Sequence, residues 1–144
     1  MAKVLAICIS DRKGIQKHPV PEGRFVENHG LEDDAHAGPH HRQVSLLAAE
    51  SISVMKAKGL DLNHGDFGEN IVTEGITLPK LPVGTRMRIG PEALVEVTQI
   101  GKECHDHCAI YEKAGDCIMP REGIFVRIIR GGSVNPGDEI TVLP

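Results

Sequence analysis

Short β-prone runs cut by glycine and proline set the tightest limit on what this 144-residue chain can fold into. Sixteen glycines and nine prolines make 25 of 144 residues, a share that favours turns and short strands over long helices. Val4–Ile9 is a continuous apolar run and suits a central strand. Residues 11–23, with Gly14, Pro19, Pro21 and Gly23, read as a loop. Arg24–Glu27 reads as a short strand. Residues 28–42, rich in Gly, Asp and His, read as a long loop, and loops beyond about 12 residues in a compact domain are usually functional. Val44–Lys58 is the one good helix candidate. Ser45 stands as its cap, Ala48, Ile52 and Met55 form its apolar stripe, and Gly59 sits at its left-handed C-terminal cap. Gly65–Gly68 is a turn. Glu69–Thr73, Arg86–Ile89, Leu94–Ile100, Ile124–Ile129 and Glu139–Leu143 read as strands, with one or two helical turns at Cys108–Ala114. Gly84 and Gly137 each stand just before a strand, where a tight turn demands positive φ. The expectation is one mainly-β domain over residues 1–144, a small barrel or sandwich.

Composition narrows the function. Hydrophobic residues at 40% and charged residues at 25% are the balance of a globular domain. The net charge of −4 does not draw the chain as a whole to duplex DNA or anionic membrane. One Tyr, three Phe and no Trp make a poor stacking platform for single-stranded nucleic acid. Neither a nucleic-acid nor a membrane partner is expected. No stretch approaches the roughly 18 apolar residues of a membrane span. Asp11-Arg12-Lys13 interrupts the N-terminal apolar run before a signal-peptide core could form. The expected compartment is therefore the cytoplasm, where thiols stay reduced. Cys104, Cys108 and Cys117 are then catalytic, metal-binding or merely buried rather than disulfide-bonded, and Cys8 reads as buried and inert.

Four clusters could carry chemistry. Glu32, Asp33, Asp34 and His36, followed by His40, His41 and Arg42, could bind a metal or polarise a ligand, or could form a solvated loop whose carboxylates cap turns. His64–Asn70 places two glycines around Asp66-Phe67, which implies backbone held close to a strand or a ligand. Asp66 or Glu69 could equally serve buried turn amides. In Gln99–Cys108, Cys104 follows a strand beside Lys102, His105 and His107, and positive neighbours raise a thiol's thiolate fraction. A thiolate can carry sulfane sulfur, attack an electrophile or ligate a soft metal. Cys104 and Cys108 would share one face of a helical turn, which suits a resolving thiol or, with Cys117 and a histidine, a zinc or iron site. Last come scattered basic residues, among them Arg12, Lys13, Lys17, Arg42, Arg86, Arg88, Arg121, Arg127 and Arg130. Most suit solvated strand faces, and any near the cysteines could grip an anion.

The ordered set of segments resembles one family. These are Gly30-Leu31 with Asp34-Ala35-His36, Arg42–Leu47, His64–Ile71, Leu81–Thr85, Gln99 with Cys104, Gly123–Arg127 and Gly137–Ile140. Together they resemble the MOSC domain, named for the C-terminal domain of molybdenum-cofactor sulfurases, over nearly the whole chain. The resemblance implies a mainly-β, MOSC-type barrel with a few short helices. It also implies a link to the molybdenum cofactor (molybdopterin) or a tungsten analogue, and a cysteine that accepts sulfur and delivers it to a metal–sulfur centre. That cysteine maps onto Cys104. Asp34, His36, Asp66, Glu69 and Asn70 map onto the family's polar motif positions, and Arg42 joins them as a candidate for holding the cofactor. The resemblance implies two kinds of partner: a cysteine desulfurase-type sulfur donor, and a molybdenum or tungsten enzyme or cofactor-synthesis protein as acceptor. No pyridoxal-phosphate site is expected in this chain, so any activity would be of sulfurtransferase type and depend on that donor. A non-catalytic interaction domain is the remaining alternative. Two departures from the family stand out: Asp33 where its motif carries glycine, and Cys108 and Cys117 beside the single expected cysteine.

Overall fold

The structure is a computed structural model that describes residues 2–12, 17–57, 65, 68–100 and 123–143. Its strands are β1 (Ala2–Ile9), β2 (His18–Val20), β3 (Gly23–Val26), β4 (Gly30–Leu31), β5 (Val44–Ala48), β6 (Ile71–Glu74), β7 (Arg86–Ile89), β8 (Ala93–Ile100), β9 (Ile124–Arg130), β10 (Gly132–Val134) and β11 (Glu139–Val142). Helix α1 covers Ala49–Lys56, and a 3-10 turn covers Leu78–Lys80. The order β11-β7-β8-β9-β5-β6-β1 closes on itself where β1 pairs β11, through Ala2↔Ile140 and Lys3↔Glu139. The result is a closed seven-stranded barrel, mainly β as expected, and closure leaves its strands without free edges. β2 adds to the side of β1, and β10, β3 and β4 form a small second sheet.

The barrel interior follows from side-chain alternation. In β7, Met87 and Ile89 are buried while Arg86 and Arg88 are exposed. The same inward set from each strand, including Val4, Leu46, Ile71, Val95, Val97, Ile124, Val126, Ile128 and Ile140, meets in one apolar core. Thr73 is the exception. It is fully buried, and its hydroxyl has no hydrogen-bond partner.

The expected helix at Val44–Lys58 is half right. Val44–Ala48 is a strand with all five residues buried, and the helix starts only at Ala49. Periodicity cannot separate a fully buried strand from a buried helix, and here the barrel decided. β5 pairs β9 antiparallel and β6 parallel, with α1 lying in the crossover between β5 and β6. Ser45 is therefore no helix cap, and its N–H donates to Asn70 Oδ1 at 3.0 Å. Of the expected stripe, Ile52 lies on α1 and is buried, whereas Ala48 is buried as the last residue of β5. The Met55 side chain, Gly59 and Cys108–Ala114 lie outside the described residues. The loops expected at 11–23 and 28–42 contain the short strands β2 and β4, too brief to show a period. Gly84 and Gly137 adopt φ of 96° and 94°, as their turn positions demanded. No described helix is long and apolar enough to cross a membrane.

Candidate functional site

The site is built on the end of β1, the segment entering β2, and the loop that runs from β4 to β5. Beyond Ile9, Ser10 is buried, and its N–H donates to Asp34 Oδ1 at 3.1 Å. Lys17 enters from the following segment with a side chain 1% exposed, against an Asp34 side chain with no exposure. The Lys17 Nζ lies within hydrogen-bond distance of three polar side-chain atoms. They are Asp34 Oδ1 at 2.7 Å, His36 Nδ1 at 2.9 Å and Ser10 Oγ at 3.2 Å. Asp34 Oδ2 also accepts the His36 N–H at 3.3 Å. Burial pushes the Lys17 pKa below the usual lysine range, while the Asp34 hydrogen bond and charge pull the other way.

A second loop clamps this cluster. Gly65 has φ of 94°, and a Cβ there would collide with the Lys17 carbonyl oxygen, so only glycine fits. Lys17 N–H donates to Gly65 O at 2.8 Å, and Gly65 N–H donates to Glu69 Oε2 at 3.0 Å. Glu69 is fully buried. Asn70 ties three barrel strands together: its Oδ1 accepts from Ser45 N–H, and its Nδ2 donates to Cys8 O at 3.0 Å. The close backbone approach expected from the two flanking glycines is real, and the thing approached is the Lys17 segment. Cys8 itself is a fully buried core residue, as expected.

Between His36 and β5 the loop climbs to the barrel rim. His40 Nε2 donates to His36 O at 2.9 Å, and His40 Nδ1 accepts the Arg42 N–H at 3.0 Å. β8 is bulged between Val97 and Gln99, so both Thr98 and Gln99 reach this loop. Thr98 Oγ1 donates to His41 O, and Gln99 Oε1 accepts from His41 Nε2 at 2.9 Å and from Arg42 Nε at 3.1 Å. Arginine can only donate, which settles which end of the Gln99 amide faces it. The Arg42 guanidinium also lies over the Phe125 ring, 5.5 Å from its centroid. Arg42 is thus held through Nε and over the Phe125 ring while the residue stays exposed.

The structure thus brings Asp34, His36 and Arg42 into one connected network running from a buried ion pair to an exposed guanidinium. Glu69 and Asn70 brace the cluster from the barrel side. Asp66, Lys102, Cys104, His105, His107, Cys108 and Cys117 lie outside the described residues. No group of three metal-ligating side chains occurs among the described residues. In the Asp34–His36 cluster the cation is the Lys17 ammonium. Lys17 and Gln99 are the two participants that the sequence named only in passing, because their partners lie far away along the chain. Asp33 adopts φ of 70°, the left-handed region that suits glycine.

A closed barrel with a polar loop network at one rim defines the class, and comparison with known proteins supplies the family. Residues 33–141 match the MOSC domain, and the chain belongs to the MOSC domain family, a domain associated with molybdenum-cofactor sulfurases. The fold is shared with solved structures. YuaD from Bacillus subtilis superposes with a TM-score of 0.78 at 20% identity, covering 99% of this chain and 96% of that one. YiiM from Geobacillus stearothermophilus gives 0.75 at 21%, covering 100% of this chain and 76% of that one. YiiM from Escherichia coli gives 0.70 at 19%, covering 100% and 70%. No curated protein matches the sequence.

Proposed function

We propose that this MOSC protein is a sulfur carrier of molybdenum- or tungsten-cofactor metabolism, with Cys104 as the carrier. The Cys104 thiolate attacks the outer sulfur of a persulfide on a desulfurase-type donor. The donor thiolate leaves, and Cys104 holds the sulfur as a persulfide, with no net change of oxidation state. Lys102, His105 and His107 are the sequence neighbours that favour the thiolate.

The observation that carries this reading is the rim beside β8. The described chain leaves the barrel at Ile100 and re-enters at Ile124, and these two residues pair directly. Cys104 is four residues beyond Ile100 in the sequence, and Gln99, the neighbour of Ile100, bonds Arg42. The exposed guanidinium of Arg42 suits a phosphate, and a pterin cofactor carries one. Arg42 is the residue that would hold the cofactor, which would supply a metal–sulfur centre as the acceptor of the sulfur. Asp34 and His36 sit further in and organise the loop that carries Arg42.

Mass spectrometry of protein purified without reductant tests the proposal. An adduct of about 32 Da, one sulfur, is expected on Cys104 and is absent from Cys104→Ser. Sulfur found on Cys117 alone, or on no cysteine, overturns it.

A further inference from the structure

Three neighbouring strands of the barrel turn a concentrated positive charge outward. β7, β8 and β9 carry four arginines (Arg86, Arg88, Arg127 and Arg130), one carboxylate, Glu96, and no lysine. Four charges against one leave +3 on this face, in a chain whose total is −4. All four arginines are exposed, and the strand register sorts them into two rows. In one row Arg86 and Arg127 flank Glu96, and in the other Arg88 and Arg130 flank Leu94. Residues directly opposite one another share a face of the sheet, so each row spans about 10 Å, two strand spacings. The first row is partly neutralised, with Glu96 3.3 Å from Arg86 Nε and 2.8 Å from Arg127 Nη2. The second row has no carboxylate, and Arg88 and Arg130 make no ion pair or side-chain hydrogen bond among the described residues. Like charges this close repel, and a second glutamate, at position 94, would relieve them. Half-buried Leu94 stands there instead, an arrangement that folding alone does not explain.

We propose that this face docks an acidic segment of a partner protein, whose carboxylates meet Arg88 and Arg130 and whose apolar side chain covers Leu94. An apolar centre rimmed by arginine is the make-up of a protein interface, where Arg is enriched and Lys depleted. The guanidinium fork matches a carboxylate through two parallel hydrogen bonds. Arg86 and Arg127 are each held by Glu96 through Nε, so they are ordered before binding and lose little freedom to it. A nucleic-acid backbone offers nothing apolar to Leu94, and neither row holds an aromatic ring for a base to stack on. β8 carries the face at Leu94 and Glu96 and reaches the rim at Gln99, which bonds Arg42, so a docked partner lies beside that rim. The docking role stands on this face alone and does not rest on the sulfur-carrier reading.

Fluorescence anisotropy with a labelled peptide of alternating glutamate and leucine, about eight residues long, reads the docking directly. Wild type should bind it and leave the matched lysine–leucine peptide free. Arg88→Glu/Arg130→Glu should weaken binding by about ten-fold or more, and Leu94→Ser by about three-fold with no change of charge. Arg24→Glu/Lys80→Glu alters the net charge equally at exposed sites elsewhere and should change the affinity by less than about two-fold. Arg88→Gln/Arg130→Gln should also weaken binding, and it supplies the answer if charge reversal disturbs the fold. The proposal is overturned by a wild type that does not bind the acidic peptide, or by equal losses in the two charge-reversed variants. Unchanged affinity in Arg88→Gln/Arg130→Gln or in Leu94→Ser overturns it as well. So does tighter binding of a duplex DNA oligonucleotide or of phosphatidylserine vesicles, which would make the face a nucleic-acid or a membrane surface.

Discussion

Asp34 and Arg42 stand eight residues apart on one loop and live in opposite environments. The Asp34 carboxylate is shut away from water and matched by a single ammonium, whereas Arg42 is exposed and lies over an aromatic ring. Charge in the first place is structural, because removing either partner strands the other in a medium that solvates it poorly. Charge in the second is available, because water screens it and its fixed geometry leaves donors to spare. His40 joins the two by hydrogen bonds at both of its ring nitrogens. Proximity along the chain therefore says little about which charged residue meets a ligand, and burial with its bonding pattern says a great deal.

Substitutions can break or sharpen that contrast. Lys17→Met should cost about 3–5 kcal/mol in urea unfolding, the penalty for orphaning a buried carboxylate. Arg42→Ala should cost under about 1 kcal/mol while weakening anion binding at the rim. Equal stability losses in the two variants would erase the distinction. The sign of the pH dependence sharpens it further. Burial lowers the native Lys17 pKa, so between that value and the ordinary lysine range the unfolded chain holds the proton more tightly. Stability contributed by this group must then rise with pH across that window. The unfolding free energy of wild type minus Lys17→Met should climb on the alkaline side, and a flat difference contradicts the burial of the amine.

Backbone comes next. Asp33→Val should lose about 1–2 kcal/mol because a β-branched residue resists φ of 70°, and Asp33→Gly should be close to neutral. Thr73→Val exchanges an unsatisfied buried hydroxyl for a methyl of the same shape and should gain about 1 kcal/mol, read as a raised unfolding midpoint. The smallest effect belongs to Glu96 on the outer barrel face, between Arg86 and Arg127. The hydrogen bond from Arg127, aided by Arg86, holds its carboxyl below the usual range. Its contribution is present above the ordinary carboxylate pKa and is lost as acid protonates the native group. Glu96→Gln should cost under about 1 kcal/mol at neutral pH, with the difference vanishing in acid.

Much of the barrel was legible because its strands alternate. Arg86-Met87-Arg88-Ile89 could lie only one way across a half-buried sheet, and Ile124–Ile129 was legible from its β-branched and aromatic residues instead. Val44–Ala48 carried no period at all, since every one of its positions is buried, and it passed for the start of a helix. The loop holding Asp34, His36 and Arg42 announced itself by polarity and length. Lys17 did not, because a lysine in a polar stretch looks solvated until its partner, 17 residues on, folds over it. Asn70 stood in a visible motif, but its bonds to Ser45 and Cys8 exist only once three strands are side by side.

The seam between β1 and β11 has a consequence for synthesis. β1 is zipped to β11, more than 130 residues on, at Ala2↔Ile140 and Lys3↔Glu139, so the cylinder cannot be sealed until β11 has left the ribosome. Contacts so distant in sequence slow folding, and β1 must wait with an unsatisfied edge in the meantime. A nascent chain stalled before Glu139 should therefore be sticky and protease-sensitive, and release of Glu139–Val142 should lock the barrel shut.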